Sequence, residues 1–233
     1  MNRPIAVLIL LAAQLPALGQ SKSLSRGPHR MEITLERIEG SVWRAVDPGL
    51  VLGADDRVRF RFRTNFDGYL YVMNYGTSGN YTLLFPREET GRQNNLRAGR
   101  EYLVPATEAW FRIAGPPGYD IVYWLVSPVL LGGQEGKGPA YIPLPPPPKQ
   151  KQPPENLIPR CDDAIFRARG ACIDSSAGPR KLSGKDPLPE NLAGVRGATS
   201  RELIIMRQQN QSLLSSPVPL SGPVIYEFRL AHK

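Results

Sequence analysis

Short runs in which apolar and polar residues alternate fill the first half of the chain. That two-residue period confines the fold to half-buried strands, because successive side chains on a strand point to opposite faces. The runs are Glu32 to Ile38, Val42 to Val46, Arg57 to Thr64, Tyr69 to Tyr75, Tyr81 to Phe85, Tyr102 to Val104, Trp110 to Ala114 and Tyr119 to Ser127. Turn-forming stretches stand between them: Asp47-Pro48-Gly49, Asn65 to Gly68, Thr77 to Asn80 and Gly115 to Gly118. No segment of comparable length carries a helical stripe. Many short strands at regular spacing predict an all-β fold, an immunoglobulin-like antiparallel β-sandwich.

After Ser127 the pattern stops. Nine of the 24 prolines fall between Pro139 and Pro159, including the run Pro145 to Pro148. Such a segment favours extended polyproline II and cannot sit in a central strand. Strand-like sequence returns as Glu202 to Arg207 and Val224 to Leu230, and two strands alone rarely hold together in water. The expected organisation is therefore a signal peptide over 1–19, a flexible segment over 20–30 and a β-sandwich over 31–128. A proline-rich, disulfide-closed insertion over 129–200 and two final strands over 201–233 complete that sandwich. A separate small C-terminal domain is the alternative.

The opening residues MNRPIAVLILLAAQLPALG join a short basic start to an apolar run, Ile5 to Ala13, and end in small residues. That is the pattern of a secretory signal. The run is shorter than the roughly 20 residues that span a bilayer, so no transmembrane segment is expected in the mature chain. With no cysteine after it, a lipid anchor is not expected either. Localisation is read as exported, periplasmic or secreted. In that compartment Cys161 and Cys172 are read as a disulfide. The rival reading, a two-thiolate metal site, needs more ligands, and the two histidines, His29 and His232, lie near opposite ends. No cofactor is expected.

Net charge is +8, or +7 without Arg3. Residues 20 to 128 hold 14 basic against 12 acidic residues, whereas 149 to 185 hold 8 against 4. A nucleic-acid binder gathers its basic residues on a folded face, so this distribution argues against that class.

In RVRFRFRT, Arg57, Arg59, Arg61 and Arg63 share one face and Val58, Phe60 and Phe62 the other. The apolar set reads as core. If Glu32 and Glu36 lie on a neighbouring strand, cross-strand pairs absorb much of the ladder. The sharper reading is a cationic stripe for an anionic envelope glycan, since arginine suits bidentate contact with carboxylate or phosphate. The polar loop Pro86 to Glu101 carries four arginines against three glutamates and reads as solvated and internally paired. In YDIVYWLVS both faces are apolar, including Tyr123 on one and Trp124 on the other. Such a strand is either central and covered on both sides or presents a partner surface. Neither a G-x-S-x-G elbow nor an H-E-x-x-H helix occurs, and a Ser-His-Asp set would have to use a terminal histidine. No catalytic residues are assigned and no enzyme is expected.

The ordered elements FRTNFDGYLYVMN, YTLLFPRE, LRAGREYLVP and FRIAGPPGYDIVYWLVS, over about Arg57 to Ser127, resemble the bacterial domain-of-unknown-function family numbered 4384. The closing VIYEFRLAHK resembles the end of longer exported members. The resemblance implies a β-rich envelope or secreted module and brings no active site with it. The expected function is a non-enzymatic interaction module docking an envelope protein partner through Tyr123, Trp124 and the insertion. An anionic glycan held by the arginine strand is the alternative, and a hydrolase the third reading. Oligomeric state is not encoded.

Overall fold

The computed structural model describes residues 28–86, 94–106, 110–130, 158–168, 170–182, 195 and 203–233. Residues 1–19, expected as a signal peptide, most of the 20–30 segment, the proline run, Arg87 to Gln93 and most of the 129–200 stretch lie outside the described residues. In chain order the strands are β1 (Arg30–Glu39), β2 (Val42–Val46), β3 (Arg57–Thr64), β4 (Gly68–Tyr75), β5 (Tyr81–Phe85), β6 (Asn95–Leu96) and β7 (Glu101–Val104). They continue with β8 (Phe111–Arg112), β9 (Gly118–Ser127), a single helical turn α1 (Ala164–Ala168), β10 (Gly178–Lys181), β11 (Ile204–Gln208), β12 (Gln211–Ser215) and β13 (Val224–His232).

The fold is all-β and consists of two antiparallel sheets. The first runs β11-β12-β1-β3-β7, with β2 also on β1 and β8 on β3; the second runs β10-β13-β9-β4-β5, with β6 on β4. The residues after 203 supply three strands, and they divide between the sheets: the β11–β12 hairpin joins β1, while β13 pairs with β9 along nine positions. Two strands carry no alternation in the sequence. β12 has its two leucines side by side, and β10 opens on Gly178-Pro179, which the sheet edge tolerates because a proline there leaves no ladder bond unmade. The run Trp110 to Ala114 narrows to two strand residues, Phe111 and Arg112.

The core lies between the sheets. From the first sheet come Ile33, Leu35, Val58, Phe60 and Phe62; from the second come Leu70, Val72, Val122, Trp124, Tyr226 and Phe228. The Trp124 indole meets Phe60 edge-on at 5.3 Å, lies 5.2 Å from Phe62 and stacks parallel to Tyr226 at 6.2 Å. Rings of this size dominate a core's apolar burial. Burial raises the Tyr226 phenol well above its ordinary pKa.

The second sheet is covered on its other face too. Tyr71, Met73, Tyr75, Ile121, Tyr123, Leu125 and Ile225 form a second buried cluster there, with Leu182 and Val195 packed against it. Those two residues come from the Gly- and Pro-rich stretch that follows the disulfide. Cys161 and Cys172 are bonded, 11 residues apart with Cα atoms at 4.7 Å. Their loop is fastened to the sandwich by backbone bonds, Val51 N to Cys172 O at 2.9 Å and Asp174 N to Gly49 O at 2.8 Å.

Gly68, the glycine of the D-G-Y-L-Y element, opens β4 where the chain passes close to the end of β9. A Cβ added there would stand 2.5 Å from the Ser127 carbonyl oxygen. Backbone cannot yield as a flexible side chain does. Gly68→Ala is expected to cost about 1–3 kcal/mol, seen as a lower denaturation midpoint in urea; an unchanged midpoint would contradict the close approach.

Candidate functional site

The arginine ladder stands on the outer face of the first sheet, and the register decides its partners. β1 runs against β3 with Glu32 opposite Arg63, Thr34 opposite Arg61 and Glu36 opposite Arg59. Arg63 donates to Glu32 Oε2 from Nε at 3.0 Å. Arg59 Nε donates to Glu36 Oε2 at 2.7 Å, and Arg61 Nη2 donates to the other oxygen of the same carboxylate. Arg61 also reaches Glu101 at 3.6 Å. Glu36 is only 1% exposed, so this carboxylate is a buried clamp serving two guanidinium groups. Burial pulls the Arg61 pKa down, but the hydrogen bonds and charges of Glu36 and Glu101 outweigh it and raise it. Three of the four arginines are thus spoken for.

Arg57 differs. Its guanidinium lies over the Trp110 ring, 4.6 Å from the centroid, and among the described residues it makes no ion pair. Arg59 repeats the stacking on Trp43 at 4.3 Å. Trp43 of β2 and Trp110, just before β8, thereby enter the site, and the alternating pattern gives no sign of it because both segments meet the ladder only in the folded sheet.

Tyr123 and Trp124 are placed otherwise than a docking surface requires. Trp124 is fully buried between the sheets, and Tyr123, 6% exposed, lies in the covered cluster. Burial, chiefly, with the neighbouring Glu227 charge, raises the Tyr123 phenol well above its ordinary pKa. Neither offers a partner any surface. The correction has a plain physical cause: a strand apolar on both faces sits mid-sheet, and Leu182 and Val195 help close its outer side.

Neither histidine is arranged for nucleophilic catalysis. His232 is buried, and its Nε2 faces both Asp120 Oδ1 at 3.4 Å and Thr77 Oγ1 at 3.5 Å, so the acid and the hydroxyl compete for one nitrogen. His29 stacks on Phe66 at 4.1 Å, and its Nδ1 accepts the Leu220 backbone N–H at 3.0 Å. A protonated Nδ1 cannot accept that bond. Burial lowers the His29 pKa below its ordinary 6.5. The unfolded chain therefore binds more protons just below pH 6.5, so this stability is fully present above 6.5 and declines as pH falls through the folded pKa. Thermal melts from pH 7.5 down to 5 are expected to show a loss that His29→Gln abolishes; an identical pH profile in the variant would contradict the assignment. Among the described residues no three of His, Cys, Asp and Glu are grouped to hold a metal. No described helix is long and apolar enough to cross a membrane.

The recurrent elements of the sequence meet one another. Asp67 of D-G-Y-L-Y accepts the Ala98 N–H at 2.8 Å and Arg97 Nη1 at 3.1 Å, both at the A-G turn, and these bonds lower its pKa. Tyr102 of A-G-x-x-Y accepts the Arg97 N–H at 2.7 Å. Leu84 of L-L-F-P accepts the Ala106 N–H at 3.2 Å. Residues 51–129 match the model of a family described as a domain of unknown function, DUF4384. The chain contains a DUF4384 domain. In this structure the residues just named close turns and strand ends. No curated protein and no solved structure matches the chain.

Proposed function

We propose that this protein is a non-enzymatic, exported, envelope-associated module that docks a protein partner through the open face of its first sheet and the exposed disulfide loop. Export rests on the pattern of residues 1–19, and a bonded cysteine pair accords with an oxidising compartment. One observation carries the docking reading: the second sheet has buried apolar clusters on both faces, whereas the first has one on its inner face alone among the described residues. On the open face, Met206 of edge strand β11, 42% exposed, stands in one cross-strand row with Leu213, Glu32, Arg63 and Glu101. Ile204 beside it is 50% exposed, the disulfide loop presents Ile165, and Ile158 is exposed just before it. Apolar side chains, arginine and tryptophan interspersed with paired charges match the composition of protein contacts. The rival reading, a four-arginine stripe for an anionic glycan, is weakened by the engagement of Arg59, Arg61 and Arg63 with Glu32 and Glu36.

The test is capture of the mature, tagged protein from its own envelope fraction after mild cross-linking, alongside the double variant Ile204→Lys, Met206→Lys. A stoichiometric protein retained by the parent and lost by the variant supports docking through this face. Glycan alone in the eluate, or equal retention by the variant, overturns it.

A further inference from the structure

Among the described residues, the outer face of the first sheet holds a local imbalance of charge. Arg57 on β3 and Arg112 on β8 are register partners, so two cations stand opposite each other on adjacent strands. Like charges in that position repel and weaken a sheet unless something neutralises them. The rest of the ladder is neutralised from within by Glu32 and Glu36. Among the described residues the one carboxylate paired here is Asp55, 3.2 Å from Arg112, with 77% of its side chain in solvent, and no ion pair joins it to Arg57. Asp55 is held at φ 69, a left-handed conformation that non-glycine residues rarely adopt. The Trp110 indole, 41% exposed, lies beneath the Arg57 guanidinium and completes the patch.

We propose that Arg57, Arg112 and Trp110 form a binding site for a carboxylated sugar, the uronate unit of an acidic glycan. A guanidinium is a planar fork that matches a carboxylate with two parallel N–H donors, and two forks from adjacent strands bracket a single carboxylate. The accessible part of the indole gives the sugar's C–H face an apolar platform, which an acidic side chain of a peptide does not need. Stacking on Trp110 holds the Arg57 fork in place, so less freedom is lost when the ligand arrives. This site is confined to one end of β3 and does not depend on docking of a protein at β11. Either can fail alone.

The probe is tetragalacturonate, titrated calorimetrically into the mature protein, with tetraglutamate as a peptide bearing the same number of carboxylates. Binding of the sugar is expected, with Arg57→Gln and Arg112→Gln each weakening it by about tenfold, the loss of one charge-assisted bidentate contact. Arg57→Lys keeps the charge but loses the fork and is expected to weaken it as well, which separates recognition from simple attraction. Arg63→Gln, whose partner is Glu32, should leave affinity within about twofold. No binding of tetragalacturonate overturns the site. So does equal binding of tetraglutamate, which would make it a peptide contact, and so does an Arg63→Gln loss as large as that of Arg57→Gln.

Discussion

Replacing Glu36 with alanine is expected to lower stability by about 3 kcal/mol, at the lower end of what breaking a buried ion pair costs. The carboxylate is buried, and Arg59, whose side chain is 14% exposed, would be left beside an uncompensated cavity. Arg61, at 41%, can turn to water, which keeps the loss from being larger. Urea denaturation measures the change. A second effect has the opposite sign for function: freeing the half-exposed Arg61 guanidinium should add salt-sensitive polyanion binding to that of the parent, because an exposed arginine without its carboxylate clamp attracts anions over a Debye length of about 10 Å at 0.1 M salt. If Glu36→Ala is as stable as the parent and gains no such binding, the clamp is not what neutralises the ladder.

The second large effect concerns Trp124. Its ring touches Phe60, Phe62 and Tyr226 and has no exposed surface. Trp124→Ala should therefore cost about 3–5 kcal/mol, the range for truncating a fully buried aromatic. That places many variant molecules at the edge of unfolding, since a whole domain holds only about 5–15 kcal/mol. Loss of partner binding in this variant would come with loss of cooperative melting. A Trp124→Ala protein that melts like the parent but no longer binds would restore the indole to the surface and overturn the core described above.

Much of this architecture is written in local pattern. β3 reads from its alternation alone, because Val58, Phe60 and Phe62 need a core and the arginines need water. The pairing with β1 follows from Glu32 and Glu36 having the matching period. What local pattern does not encode is how the second sheet's outer face is closed. The tyrosines of β4 and Ile121, Tyr123 and Leu125 of β9 look the same whether a partner or the chain itself covers them. Leu182 and Val195, which pack there, are isolated apolar residues in a stretch with no period. β12 escaped for a similar reason: Leu213 and Leu214 are adjacent, so one points in and the other out, and neither repeats. Its hairpin turn, with Gln209 at φ 41, lacks the glycine that marks such turns. The exceptional position of Arg57 is also tertiary. Nothing near it in the chain says that Arg112, 55 residues later, will face it from β8.

The account turns on one face of the sandwich being open among the described residues and the other covered, and the chain carries its own reporters of both. Hydroxyl-radical footprinting labels Met, Trp and Tyr side chains according to their exposure to water. In the isolated mature protein, Met206 and Trp110 are expected to oxidise readily, while Met73, Tyr123 and Trp124 resist. Adding the cross-linked partner should then protect Met206 and leave the second sheet unchanged. Rapid oxidation of Met73 and Tyr123 in the free protein, or protection confined to them in the complex, would contradict the account.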